Sequence, residues 1–119
     1  MAQQYQQLTT VEQWNQAYEG ASSKPLLVFK HSTRCNVSAD AHAELLRYLQ
    51  DAQGGFDTVL VHVVEDRPVS NVIEEQLGVK HASPQAILIA DGEVKWQATH
   101  WNITYSSLEE HLAEHCEKQ

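Results

Sequence analysis

Apolar and polar positions along the chain alternate in blocks that predict its secondary structure. Four segments have the apolar run or the polar–apolar alternation of β-strands: residues 26–31, 58–64, 85–90 and 93–98. The first three are near-continuous apolar runs, which are typical of strands buried on both faces. The fourth alternates, as an outer antiparallel strand does, and Asp91-Gly92 before it predicts a hairpin turn.

The segments around these strands have apolar residues at helical spacing. We expect helices at residues 10–18, from residue 36 to the glycine pair at 54–55, at residues 71–77 with Ser70 as N-cap, and at the end of the chain along Leu108, Leu112 and Cys116. Thr10 and Gln13 have the spacing of a capping box. The Gln-rich residues 1–8 are expected to be frayed.

The order of these elements predicts the fold. Strands alternate with helices, and a hairpin and a closing helix follow, which favours a mixed sheet with helices on both faces. We therefore expect an α/β, thioredoxin-like fold with a central mixed four-stranded sheet flanked by helices. A chain of 119 residues is expected to form one domain, residues 1–119.

Composition and charge narrow the class of protein. The formal net charge of −8 argues against a nucleic-acid partner, because phosphate backbones are bound by clustered Lys and Arg. The longest apolar runs are too short to cross a bilayer. Residues 1–7 lack the basic start and apolar run of a targeting signal. We expect a soluble, cytoplasmic protein that binds neither nucleic acid nor membrane.

Cys35 is the residue on which a functional hypothesis rests. It follows a polar loop after a buried strand and opens a predicted helix. Unpaired amides and the positive end of the helix dipole favour an anion there, and the thiolate is the reacting form of cysteine. Arg34 and His31 would favour the thiolate further if their side chains point towards it. The alternative is an inert, buried cysteine.

Ser38 stands three residues after Cys35, where a dithiol enzyme has its second cysteine. A Cys-x-x-Ser motif cannot close its own disulfide, so a group transferred to Cys35 stays there until an outside thiol removes it. The Ser38 hydroxyl is expected to donate a hydrogen bond to the sulfur across one helical turn. The other cysteine, Cys116, is expected to face the core.

Pro84 precedes the third predicted strand. In thioredoxin-like folds a cis-proline at this place faces the active cysteine and exposes backbone groups that hold the substrate. We therefore expect a cis Ser83–Pro84 bond. The alternative is a trans proline at the start of a strand, where its missing N–H does no harm.

Four segments together resemble a known family: FKHSTRCNVS at 29–38, HASPQ at 81–85, HWNIT at 100–104 and RPVSN at 67–71. They resemble the signature, the proline loop and further segments of the monothiol bacilliredoxins of the YtxJ or BrxC type. The similarity extends from about Thr9 to Leu112, nearly the whole chain.

The resemblance implies a thiol–disulfide exchange protein that removes bacillithiol, or a similar small thiol, from mixed disulfides on client proteins. It implies a catalytic Cys35 with Ser38 in the same motif. We assign substrate binding to the residues around them: Arg34, Asn36, Ser83, Pro84 and His31. No bound cofactor and no metal are expected, because the small thiol acts as a co-substrate.

Two residues depart from the pattern that the family usually shows, Thr-Cys-Pro-Ile-Ser. Arg34 stands in place of the Thr, and Asn36 in place of the Pro. The second change removes a residue whose fixed φ suits the first helical position, and it adds a backbone amide that could hold a thiolate. The direction of the resulting change in reactivity stays open.

Two other functions fit the same fold. A non-catalytic binding module would hold a peptide or a partner in the groove at Pro84. An iron–sulfur carrier would use one Cys35 from each subunit of a dimer, with a small thiol as co-ligand.

Several further residues have side chains that are suited to binding a metal or a ligand, but each also has a simpler structural interpretation. His111, His115 and Cys116 have a spacing that suggests a metal site, but we interpret the histidines as a solvated pair and the cysteine as buried. His31 and His81 flank the predicted site, either as partners of the thiol or as ordinary loop polarity. Trp96 is expected in the core, and Trp101 is expected to pack within the structure.

Overall fold

Strands and helices alternate along residues 4–52 and 54–116, which the structure, a computed structural model, describes; for Cys116 it describes the backbone alone. The strands are β1 Gln6–Leu8, β2 Leu26–His31, β3 Asp57–His62, β4 Gln85–Ala90 and β5 Glu93–Thr99. The α-helices are α1 Val11–Gly20, α2 Asn36–Asp51, α3 Arg67–Leu77 and α4 Tyr105–Cys116, with a 3₁₀ helix at His100–Asn102. Among these helices none is long and apolar enough to cross a membrane.

The strands form a mixed sheet in the order β1-β3-β2-β4-β5. The pairs β1–β3 and β2–β3 are parallel, and the pairs β2–β4 and β4–β5 are antiparallel. The expected α/β arrangement of a mixed sheet flanked by helices is therefore confirmed. The sheet has five strands in the described residues, where we expected four.

The additional strand is β1, at the edge of the sheet. Gln6 lies opposite Val59 and Leu8 opposite Val61, so part of the segment that we expected to be frayed is paired. Leu8 is buried, whereas the other two residues of β1 are exposed. A strand of three residues with two glutamines has no alternation that pattern analysis can detect. Residues 1–3 lie outside the described residues.

The two faces of the sheet bury separate apolar cores. Successive strand residues point to opposite faces, so Leu27 and Phe29 of β2 pack with α2 and α4, whereas Leu26 and Val28 pack with α1 and α3. Because helices cover both faces, all six residues of β2 are buried. This central strand leads directly to the loop that carries Cys35.

The start of α3 differs from the expectation. We expected Ser70 to cap a helix from about Asn71, but α3 begins at Arg67, with Asp66 as its N-cap and Pro68 in its first turn. Proline is tolerated there because the first amides of a helix have no intrahelical partner. Ser70 is instead a fully buried residue inside the helix.

Other local signals are confirmed. Thr10 and Gln13 form the capping box of α1. Asp91 and Gly92, both with positive φ, connect β4 to β5. The remaining boundaries shift by a few residues: α2 ends before the glycine pair, and β3 ends at His62 rather than at residue 64.

The edge strand supplies a test of the fold. Leu8 is fully buried in the core that β2 forms with α1 and α3, so Leu8→Ala should lower the free energy of unfolding by about 2–5 kcal/mol. Gln6→Ala, on the same strand but exposed, is the matched control and should leave stability nearly unchanged. Urea unfolding measures both values. Equal stabilities of the two variants would show that β1 does not contribute in solution.

Candidate functional site

Cys35 is the N-cap residue of α2, with extended backbone angles of φ −122° and ψ 127°. Its amide donates to the Ser32 carbonyl (N···O 3.4 Å), and its carbonyl accepts from the Ala39 amide (3.0 Å). The thiol is free and partly exposed. The expected place of Cys35 at the start of a helix is confirmed. The N-cap position puts its side chain beside the unpaired amides of the first turn, which favour an anion.

Ser38 is the third residue of α2 and is fully buried. Its hydroxyl oxygen accepts a hydrogen bond from the Ser32 amide (N···O 2.9 Å) and lies 2.8 Å from Nδ1 of His31. We expected this hydroxyl to donate to the Cys35 sulfur. In the described part of the chain its contacts are with His31 and Ser32, because the buried face of α2 meets the end of β2.

A group of four aromatic rings lies next to Ser38. We call it the histidine stack, and its members are His31, His42, His62 and Phe29. The ring centroid of His31 is 4.6 Å from that of His42 and 5.8 Å from those of His62 and Phe29. The β2–β3 register places His62 opposite His31. Sequence reasoning missed His42, although its position one helical turn after Ser38 is the signal that would have found it.

Two histidines of the stack, His31 and His42, have lowered pKa values. Burial, followed by the neighbouring His42 and His62, lowers the pKa of His31 to about 4, and Glu65 acts in the opposite direction. The pKa of His42 is also lowered, first by burial and then by His62. A neutral imidazole has one N–H donor and one acceptor nitrogen, so either His31 or Ser38 can be the donor in their hydrogen bond.

A second polar cluster lies on the opposite face of β2. Lys30 is fully buried, and its Nζ donates to the Ser70 carbonyl (3.3 Å) and to Nδ1 of His81 (3.4 Å). The amide of His81 donates to Oε2 of Glu74 (3.0 Å). Burial lowers the pKa of Lys30 to about 8, against the effect of Glu74. Burial, Lys30 and Arg67 together lower the pKa of His81. This cluster ties the loop before β4 to β2 and α3.

The Ser83–Pro84 peptide bond is cis, as expected. The β2–β4 register places Pro84 across from the end of β2 that leads to Cys35. The Pro84 carbonyl accepts from the His100 amide (N···O 3.1 Å), which ties the proline loop to the 3₁₀ helix. The Ser83 hydroxyl oxygen is buried and has no hydrogen-bond partner among the described residues.

Arg34 and Asn36, on either side of Cys35, have exposed side chains. The Arg34 amide donates to Oγ of Ser32 (3.3 Å), and Asn36 is the first residue of α2. The amide of Asn36 is therefore one of the unpaired N–H groups of the first turn. The roles of both residues in substrate binding stay predictions.

The two tryptophans near the sheet differ in their surroundings. Trp96, expected in the core, is half-buried and packs against the core beneath α2 and α4, where it stacks on His111 with ring centroids 4.6 Å apart. The expectation that Trp101 packs within the structure is wrong, since its side chain is 67% exposed. Trp101 follows His100, so it lies on the side of the site that carries Pro84.

His111 and His115, near the end of α4, lie close to neighbouring side chains of the fold. His111 is not a freely solvated residue, because it stacks on Trp96. Nδ1 of His111 and Nε2 of His115 both lie 3.9 Å from Oε1 of Glu114. The side chain of Cys116 lies outside the described residues, so its burial stays a prediction. Within residues 4–52 and 54–115, no three His, Cys, Asp or Glu side chains converge as they would to hold a metal ion.

Comparisons with known proteins agree with this geometry. A family model described as monothiol bacilliredoxin BrxC matches residues 6–108. A solved thioredoxin-fold protein described as a presumptive oxidoreductase is 31% identical, with a TM-score of 0.79 over 89% of this chain and 91% of that one. Thioredoxin O2 from Arabidopsis thaliana, in its oxidised state, is 19% identical, with a TM-score of 0.75 over 92% of each chain. Malassezia sympodialis thioredoxin is 16% identical, with a TM-score of 0.74 over 95% of this chain and 91% of that one. The two thioredoxins show likeness of fold alone.

The buried His31 predicts a dependence of stability on pH. Its pKa is about 4 in the folded chain and 6.5 when unperturbed, so the unfolded chain binds the proton first as the pH falls. The free energy of unfolding should therefore decrease from about pH 6.5 down through pH 4, by roughly 3 kcal/mol from this residue. His31→Phe, which cannot titrate, should lose this part of the decrease, whereas His115→Gln should keep it. Urea unfolding across this pH range gives the three profiles, and parallel profiles for the wild type and His31→Phe would contradict the assignment.

Proposed function

Because the chain belongs to the monothiol bacilliredoxin family, we propose that it removes bacillithiol, or a similar small thiol, from mixed disulfides on client proteins through Cys35. Thiol redox chemistry at the general level follows from family and fold. The observation that carries the specific proposal is a partly exposed thiol at the N-cap of α2, with a serine at the third helical position.

The proposed reaction consists of two exchanges of one S–S bond for another. In the first, the Cys35 thiolate attacks the small-thiol sulfur of the mixed disulfide. A disulfide forms between Cys35 and the small thiol, and the client cysteine leaves as a thiolate. In the second, the thiolate of another small-thiol molecule attacks the same sulfur, and the Cys35 thiolate leaves. The products are a free client and a disulfide of two small thiols, so the cycle needs no resident cofactor.

Ser38 makes the second exchange depend on an outside thiol. In a Cys-x-x-Cys motif the second cysteine attacks the mixed disulfide from within the same helical turn. A hydroxyl cannot form that S–S bond. The other cysteine, Cys116, lies at the end of α4 rather than in the first turn of α2. The adduct on Cys35 should therefore persist until free small thiol arrives.

The groups that we propose to contact the substrate flank Cys35. Pro84 lies across from the end of β2, and Arg34 and Asn36 are exposed beside the thiol. A guanidinium group suits an anionic group on a small thiol or on a client, because it donates hydrogen bonds in a fixed plane. Ser83, next to Pro84, has a buried hydroxyl that is free to bond in the described part of the chain.

The proposal predicts which cysteine carries the activity. With a client protein that bears one bacillithiol mixed disulfide, Cys35→Ser should reduce the release of small thiol to the rate without protein, because it removes the only proposed nucleophile. Cys116→Ser is the matched control and should retain the activity. Mass spectrometry of the client follows its return to the free thiol.

Three outcomes would contradict the proposal. Release by Cys35→Ser at the wild-type rate would exclude Cys35 as the nucleophile. A client that binds the wild type and keeps its mixed disulfide would favour a binding module. Purification as a coloured dimer with a cluster that disappears in Cys35→Ser would favour an iron–sulfur carrier.

A second prediction concerns the need for an outside thiol. After reaction of Cys35 with a small-molecule disulfide, Ser38→Cys should lose the adduct without added thiol, because the new thiol can attack it and close an internal disulfide. Wild type and Ser38→Ala should keep an adduct of one small thiol until free thiol is added. Intact-mass spectrometry distinguishes the three. Spontaneous loss of the adduct from the wild type would reveal a resolving group within the chain.

A further inference from the structure

Trp101 is the most exposed large apolar residue in the described part of the chain. It is 67% exposed, whereas Tyr5, Leu46 and Val64 are 38%, 39% and 38% exposed. Single exposed apolar residues are common on protein surfaces, so exposure alone assigns no role. The place of Trp101 in the fold and the contacts that fix its backbone distinguish it from Tyr5 and Leu46.

The sheet places Trp101 at the same edge as Cys35. β3 is parallel to β2, β4 is antiparallel to β2, and β5 is antiparallel to β4. The ends of β3, β2 and β5 and the start of β4 therefore share one edge. In sheet order, this edge has Val64 after β3, Cys35 after β2, Pro84 before β4 and Trp101 after β5. Cys35 thus lies between two exposed apolar residues, Val64 and Trp101.

The short 3₁₀ helix that contains Trp101 is fastened on several sides. The His100 amide donates to the Pro84 carbonyl (N···O 3.1 Å), and the carbonyl of the residue after Trp101 accepts from the Ser107 hydroxyl (2.9 Å). Ile103, directly after the 3₁₀ helix, is buried in the core with α2 and α4. The 3₁₀ helix also packs against α2, the helix that begins after Cys35. These contacts hold the backbone of Trp101 beside the candidate site.

The backbone just before Trp101 is strained. His100 has a φ of 53°, in the left-handed region that residues with a side chain rarely adopt. Such strain persists where the surrounding contacts enforce it, and it recurs at sites that bind ligands. A fixed backbone also loses little conformational freedom when a partner binds, which favours binding. The 3₁₀ helix therefore presents the indole ring to solvent in a prepared position.

We propose that Trp101 is a specificity-determining residue that binds an apolar side chain of the client polypeptide, close to the cysteine that carries the mixed disulfide. The inference rests on the proposed function and names a feature of its substrates. Tryptophan suits this contact because its ring buries a large apolar area at one point. It is also enriched among the residues that contribute most of the binding energy at interfaces.

The spacing of the strands agrees with an extended polypeptide as the ligand. Neighbouring strands lie about 4.8 Å apart, so the end of β5, two strands away, lies about 10 Å from the end of β2. An extended chain advances about 3.4 Å per residue, and every second side chain points to the same side. Side chains two and four residues from the client cysteine therefore lie about 7 and 14 Å from it, a range that includes the position of β5.

A second copy of this chain fits Trp101 less well. A stable interface buries about 800 Å² on each partner, whereas one tryptophan side chain supplies about 150–250 Å². The neighbours of Trp101 in the chain, His100 and Asn102, are exposed and polar. One apolar side chain of a client can cover the ring without a wider apolar surface around it.

The experiment compares two peptides, each with one cysteine in a mixed disulfide with bacillithiol. One peptide has Leu, and the other has Ser, at the second and fourth positions on both sides of the cysteine. The full chain should have a kcat/KM about tenfold higher for the Leu peptide, because the side chain is buried against Trp101. The difference should lie in KM, since the contact is made on binding and kept during the exchange.

Three variants locate the preference. Trp101→Ala should reduce it to about twofold or less, because the apolar ring is removed, whereas Trp101→Phe should retain most of it. Leu46→Ala changes another exposed apolar residue, farther along α2 from Cys35, and is the matched control that should keep the full preference. Circular dichroism confirms that each variant is folded.

Two other occupants of this surface would overturn the inference. An equal loss of kcat/KM for both peptides in Trp101→Ala would place the small thiol, which the two peptides share, on the ring. A dimer that sedimentation velocity detects in the wild type and not in Trp101→Ala would place a second copy of the chain there.

Binding without exchange separates this inference from the proposed function. Cys35→Ser is mixed with the same two peptides as free thiols, and fluorescence anisotropy of the labelled peptides gives each Kd. The Leu peptide should bind about tenfold more tightly, and Trp101→Ala in this background should remove the difference. That result in a protein that releases no small thiol would support the role of Trp101 and refute the proposed function. Release from both peptides with equal kcat/KM would support the proposed function and overturn the role of Trp101.

Discussion

The burial of β2 on both faces is the constraint on which the chemistry at its end depends. Lys30 and His31 are its last two residues, and both are buried from water. A buried polar group costs free energy unless it is hydrogen-bonded. Because neighbouring strand residues point to opposite faces, each finds partners in the layer that covers its own side. Lys30 bonds to Ser70 and His81, and His31 bonds to Ser38.

These two sets of contacts also position the two halves of the candidate site. The bond between His31 and Ser38 joins the end of β2 to the first turn of α2, and so fixes the backbone that carries Cys35. The contact of Lys30 with His81 holds the loop that leads to the proline on the other side. Loss of one partner would leave a buried group unsatisfied, which costs more than the bond itself contributes. The arrangement of the site therefore depends on the central strand β2 as much as on the loops that carry Cys35 and Pro84.

The parts of the fold that the sequence predicts are those that depend on local patterns. The apolar runs of β2 and β4, the Asp-Gly turn and the capping box of α1 are recognisable because neighbouring residues decide them. The strand β1 is stabilised by its pairing with β3 and by one buried side chain, Leu8, and neither has a local signal. The start of α3 was ambiguous for another reason: Pro68 is compatible both with the end of a strand and with the first turn of a helix.

For the candidate site, the sequence predicts which residues stand at the start of α2. It does not predict the buried contacts that Ser38 and His42 make with the end of β2. The motif places Cys35 at an N-cap, but the orientation of Ser38 follows from packing of α2 on the sheet, as does the approach of His42 to His31. This packing gives Ser38 hydrogen bonds to His31 and Ser32 that the motif alone does not predict. In a dithiol motif the third helical position must remain free to attack the first sulfur. Here the residue at that position is a serine bonded to the end of the central strand, so we expect an outside thiol to complete the exchange.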